Sequence, residues 1–138
     1  MRASPSTQAA VEATLQQWKD AYSRRDVDGA LAVIAPDDDV VGIGTGPDEW
    51  RVGPEEFKAQ LDRDFAQADG LSVDYEPLVI SEAGPVAWVA GRARVQARVE
   101  GQDVTLTCGV VVELRGFEPL TPCMPYMDLR PDHGRYGC

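Results

Sequence analysis

Along the first part of the chain, Val11, Leu15, Trp18 and Tyr22 recur at spacings of four, three and four. That period puts them on one face of a helix over about residues 6–24. Ser4 and Pro5 suit its N-cap and first helical position. Arg24 and Arg25 place positive charge in its last turn, where the helix dipole favours it. Asp26 can cap a second, shorter helix that turns Val27, Ala30, Leu31 and Ile34 inward and stops before Pro36. Residues 39–45 are apolar and glycine-broken and read as a short strand. Gly53-Pro54-Glu55-Glu56 then opens a third helix over about 54–68, with Phe57, Leu61 and Phe65 four apart.

After Asp69-Gly70 the period changes to two. The alternation predicts strands at 71–81, 86–99 and 103–115, with a bulge or a sheet edge at Pro77 and a hairpin turn at Glu100-Gly101. Val104, Leu106, Cys108, Val110, Val112 and Leu114 share one face and are expected to be the best-buried strand residues. Val89, Ala93, Val95, Ala97 and Val99 face the same way on the neighbouring strand, and Arg92, Arg94 and Arg98 face the other. One dry face and one wet face describe an antiparallel sheet backed by helices, an α+β fold.

The 138 residues fit one domain. A net charge of −10 argues against nucleic acid, whose binding needs clustered cations. No apolar run approaches the roughly 20 residues that span a bilayer, and no apolar leader follows Met1, so no membrane partner is expected and the location is expected to be cytoplasmic. The three cysteines include no CxxC pair.

Candidate chemistry is sparse. The single histidine, His133, lies near the C-terminus, so triads and histidine-based metal sites are not expected. Neither a metal nor a cofactor is expected. Asp37, Asp38 and Asp39 could work as carboxylates if a pocket raised their pKa, but a solvated turn is the plainer reading. Gly42-x-Gly44-x-Gly46 lacks the helix and lysine of a phosphate loop, and reads better as glycines that let sheet and helix approach. Trp18, Tyr22, Trp50, Phe57 and Phe65, with Asp39, are the candidate pocket-lining residues; no catalytic residue is assigned. The same aromatics at helical spacing also suit a plain core.

The segments Trp18-Lys19-Asp20-Ala21-Tyr22, Arg25-Asp26-Val27-Asp28-Gly29-Ala30-Leu31, Ala35-Pro36-Asp37-Asp38-Asp39, Gly53-Pro54-Glu55-Glu56-Phe57 and Val86-Ala87-Trp88-Val89 stand in an order and spacing of their own. Over about residues 8–115 they resemble the SnoaL-like family of the nuclear transport factor 2-like superfamily. The resemblance implies a cone, a bent antiparallel sheet packed on three N-terminal helices around a pocket open at one end. Members include cyclases, isomerases, dehydratases, epoxide hydrolases and bare association domains, so the fold assigns no reaction. Steroid isomerases of this superfamily carry a base Asp where this chain has Ile43-Gly44-Thr45, and an oxyanion-hole Tyr where it has Trp18, so steroid isomerisation is not expected. Such domains commonly pair sheet to sheet, which implies a homodimer through the arginine face.

The family's closing strand has no counterpart here. Pro119, Pro122, Pro125 and Pro131 interrupt the stretch where it belongs, and proline cannot serve a central ladder. Residues 1–115 therefore read as the domain and 116–138 as an atypical, irregular tail, similar to those made when a bacterial reading frame runs on through an antisense transfer-RNA gene. Three functions stay open: a pocket for a small, mostly apolar molecule, with or without catalysis; an association domain; or a truncated, non-functional reading frame.

Overall fold

The computed structural model describes residues 1–44 and 47–115. The expected tail at 116–138 and its missing strand lie outside the described residues. The rest follows the expected order with one strand more, β2: α1 (Pro5–Ser23), α2 (Val27–Leu31), β1 (Val41–Ile43), β2 (Trp50–Val52), α3 (Gly53–Gln67), β3 (Asp69–Ala83), β4 (Val86–Val99) and β5 (Gln102–Arg115). No helix among the described residues is long and apolar enough to cross a membrane.

Each helix begins where its sequence supplies an acceptor for the first N–H groups, which the helix's own ladder cannot reach. Ser4 Oγ accepts from the Thr7 N–H at 3.3 Å, and Asp26 Oδ1 from the Gly29 N–H at 2.9 Å. At α3, Glu56 Oε2 reaches back to the Val52 N–H at 2.6 Å. The end of α1 differs from expectation. The helix stops at Ser23 and Arg25 turns with φ 60°, so neither arginine lies in its last turn. The Arg25 guanidinium instead donates to the carbonyls of Phe65 and, at 2.8 Å, Ala68. It closes α3 rather than its own helix.

β3, β4 and β5 form an antiparallel meander in chain order. The β4–β5 turn has φ 51° at Glu100 and 78° at Gly101, a two-residue turn whose twist matches the strands it joins. Pro77 sits on the edge strand, beside a bulge between the pairs Pro77↔Gly91 and Val79↔Ala90. The extra residue reverses the alternation, so Val73 and Tyr75 face inward before it and Ile80 after it. Residues 1–3 run along this edge, with the Ala3 N–H donating to Ile80 O and the Glu82 N–H to Met1 O, both at 2.9 Å. β1 and β2 make a separate hairpin, and among the described residues the two sheets share no strand pairing.

α1 packs on β3 and more lightly on β4. Its first half buries Val11 and Leu15 against Ala3, Ile80, Ala87, Val89 and Leu114. Its second half joins Ala21 to Ala30, Leu61, Phe65 and Leu71. β5 shows where the burial expectation fails. Its register holds, since Leu114 is buried while Thr105, Thr107 and Val111 are exposed. Val104 and Leu106, however, are 47% and 44% exposed. They share the inward face, but α1 lies over the other two strands, so only the last turns of β5 reach the core.

Glu82 ties this arrangement together. Its carboxylate accepts from the Ser4 N–H at 3.0 Å and from the Thr7 hydroxyl, at the start of α1. The Thr7 hydrogen bond, against some desolvation and with help from Ser4, holds its carboxyl below the usual carboxylate range. A depressed folded pKa means the contribution is complete above the ordinary value of 4.5 and fades as pH falls through the folded one. Glu82→Gln should therefore cost about 1 kcal/mol at neutral pH, and the gap in melting temperature between variant and parent should close below that range. A gap that persists unchanged in acid would contradict this role.

Candidate functional site

Three aromatic rings meet where α1 crosses α3. Trp18 and Tyr22 stack with centroids 5.7 Å apart and planes at 20°, and Tyr22 meets Phe65 at 5.4 Å. The spacing of four on each helix makes this meeting possible, since residues one turn apart share a face. Tyr75 approaches from β3. Burial pushes its hydroxyl up to about 12, with a hydrogen bond from Trp18 pulling the other way.

Polar groups gather on one side of the rings. Tyr22 Oη donates to Asp64 Oδ2 at 3.4 Å, Gln60 Nε2 to Asp64 Oδ1 at 2.5 Å, and Arg63 Nη2 to Gln60 Oε1 at 2.7 Å. Burial raises the Tyr22 hydroxyl well above the usual phenol range, and the charge and hydrogen bond of Asp64 raise it further. Tyr22 therefore keeps its proton as a donor. Against these, the charge of Arg51 pulls its pKa down.

Arg51 belongs to the hairpin. It pairs with Gly42 across β1 and β2, and a Cβ at Gly42 would lie 2.5 Å from the Phe57 ring. The missing side chain lets the hairpin close onto α3, as the glycine pattern suggests. The Arg51 side chain is only 15% exposed, and its Nη2 lies 3.9 Å from Glu49 Oε2. Its Nε is buried with no hydrogen-bond partner among the described residues. Buried N–H donors are rarely left so.

Of the six pocket candidates, Trp18, Tyr22 and Phe65 come together, and Phe57 lies beneath the hairpin. Trp50 does not join them; it is 64% exposed on the hairpin's outer face with Val41, Ile43 and Val52. Alternation along β2 turns Arg51 inward and its neighbours out. Asp39 is exposed as well, and with Asp37 it adds to the field at Arg115, whose charge is held chiefly by Glu113. Arg51, Gln60 and Asp64 were not singled out from sequence. Their signal was there: Gln60 and Asp64 fall three and seven residues after Phe57, flanking the apolar face of α3.

A crevice of about 10 Å³ remains among Leu15, Tyr75, Val89, Val110 and Val112, room for about one water. A larger hollow of about 430 Å³ lies at the other end of the sheet, lined by Asp69, Gln96, Ala97, Arg98, Asp103 and Val104 among others. It mixes residues from both faces and holds none of the candidates. No group of three or more His, Cys, Asp or Glu among the described residues could hold a metal ion.

The fold has known relatives. Residues 11–116 match the family model described as SnoaL-like domain. Among solved structures, the chain is similar to a ketosteroid isomerase-like protein from Erwinia carotovora atroseptica SCRI1043, at 20% identity and TM-score 0.67 over 88% of this chain and 90% of that one. It is also similar to a conserved protein from Planctomyces limnophilus DSM 3776, at 18% identity and TM-score 0.69 over 79% and 83%. A putative scytalone dehydratase from Novosphingobium aromaticivorans DSM 12444 matches at 14% identity and TM-score 0.69 over 79% and 73%. Comparison with curated proteins gives no match.

Proposed function

Because the chain belongs to the SnoaL-like domain family, we propose that it binds a small, mostly apolar molecule between α1, α3 and the β1–β2 hairpin. The observation that carries this reading is the half-buried cluster of Trp18, Tyr22 and Asp64. Stacked rings offer apolar area, and the few polar groups beside them can fix a ligand's orientation. No reaction is assigned. The test is native mass spectrometry of the protein as purified from its host. A copurifying small molecule, lost on Trp18→Ala, supports the reading; a protein that is empty and takes up no apolar ring compound contradicts it.

A second reading concerns association through the outer sheet face. Val79, Ala90 and Val111 lie in one row across the three strands, beside Trp88, and Val111 is 78% exposed. Next to this apolar end, Arg92 pairs with Glu76 at 4.0 Å and Arg98 with Asp103 at 3.0 Å. An apolar patch bordered by alternating charge suits a homodimer formed sheet to sheet. Light scattering should give a dimer for the parent and a monomer for Val111→Asp. A parent that stays monomeric at high concentration contradicts the pairing.

A further inference from the structure

We propose that a second copy of this chain joins the meander edge to edge, its β5 lying antiparallel along this β5 with the two-fold axis at Gly109. The pairing is independent of the ligand reading, and it uses a strand edge rather than the outer sheet face. The meander has two edges, and they are treated differently. β3 carries Pro77 and a bulge, and residues 1–3 run along it, hydrogen-bonded at Ile80 and Glu82. Each of these blunts an edge. β5 has none of them. Its 14 residues pair with β4 in one unbroken register, from Val86↔Arg115 to Val99↔Gln102. Over 104–112 it carries neither charge nor proline and is rich in Val and Thr. Among the described residues no strand pairs with its outer edge. A long, regular, uncharged edge is a template for another strand.

Charge selects the partner and the register. Residues directly opposite in an antiparallel pair share a face, so a two-fold pairing of identical strands places one residue opposite itself. With Gly109 at that point, Asp103 stands opposite Arg115 of the second copy at both ends of the seam. Centring on Cys108 sets Asp103 against Glu113, a like-charge pair, and centring on Val110 sets Arg115 against Thr105. Of the three, the Gly109 register alone joins opposite charges. Asp103 already accepts from Arg98 at 3.0 Å, and Arg115 already donates to Glu113 at 2.8 Å, so charges alternate in sign across the seam. The dry face agrees. This register puts the exposed Val104 and Leu106 opposite Leu114 and Val112 of the second copy. Each copy's uncovered end of β5 therefore meets the other's packed end.

One strand's width of contact is a small interface, so the pairing is weak and is captured covalently. The test uses the full chain with Cys123→Ser and Cys138→Ser, which keeps Cys108. Adding Val110→Cys sets a thiol opposite Cys108 of the second copy, with Cα atoms about 4.5–5.5 Å apart, within disulfide reach. Both positions lie on the inner face, where a dimer through the outer sheet face cannot join them. Oxidised glutathione should convert most of this variant to a disulfide-linked dimer on a non-reducing gel. Cys108 alone, and Val112→Cys, which fits the register centred on Val110, should stay largely monomeric. In the Val110→Cys background, Asp103→Arg or Arg115→Asp should slow cross-linking about tenfold, and mixing the two variants should restore it. Circular dichroism checks that each variant is folded. Should Val110→Cys fail that check, Leu106→Cys with Val112→Cys in Cys108→Ser traps the same register. No disulfide dimer from a folded trap, equal cross-linking by the Val112→Cys control, or a mixture no faster than its single variants overturns the proposal.

Discussion

Replacing Phe65 with alanine should remove about 3–5 kcal/mol of stability. Its ring is only 7% exposed and sits in the cluster formed with Ala21, Ala30, Leu61 and Leu71. On its outer side it supports Tyr22 at 5.4 Å and lies 6.0 Å beneath the Arg25 guanidinium. The loss combines the transfer of an aromatic ring with the cavity left behind. Urea unfolding should show a lower midpoint with an unchanged slope. A loss below about 1 kcal/mol would mean that the α1–α3 seam is not a packed core, outside the range for buried aromatics.

Gly91→Ala should destabilise by about 2–3 kcal/mol although it adds one methyl group. Gly91 faces Pro77 at the bulge, and a Cβ there would collide with the Glu76 carbonyl oxygen and lie 3.0 Å from Pro77 Cα. These are backbone atoms on a paired strand, so they cannot swing aside as a flexible side chain would. The close approach belongs to the sheet's bend, and the bend brings Tyr75 toward Trp18. The matching control is Gly109→Ala on β5, where a Cβ would meet nothing within 4 Å. That change should be neutral or slightly stabilising, since it only restricts the unfolded chain. Equal losses at the two positions would show that the contact with the Glu76–Pro77 backbone is not the cause.

What could be read from sequence was whatever local periodicity encodes. The helix starts at Ser4, Asp26 and Gly53-Pro54, the strand change after Gly70, the Glu100-Gly101 turn and the irregularity at Pro77 all appear as expected. What depended on packing between distant segments could not be read. Val104 and Leu106 have the right parity, but nothing local says that α1 stops short of them. The short run Trp50–Val52 is too brief for a periodic signal, so nothing local says that Arg51 faces inward and Trp50 outward. Three of the four aromatic residues of the cluster are legible, because Trp18 and Tyr22 share one helical face and Phe65 lies on the apolar face of another; Tyr75 is not. The cluster's polar partners Gln60 and Asp64 read as ordinary surface residues of α3, because nothing local says that Tyr22 reaches Asp64 or that Gln60 is buried.

Nitrogen-edited NMR of the full chain during titration with a small apolar ring compound such as naphthalene tests the central claim most directly. The account predicts perturbation of the Trp18 indole N–H and of the backbone N–H groups of Tyr22 and Asp64. Perturbations confined to the hollow around Ala97 and Val104, or none at all, would contradict it.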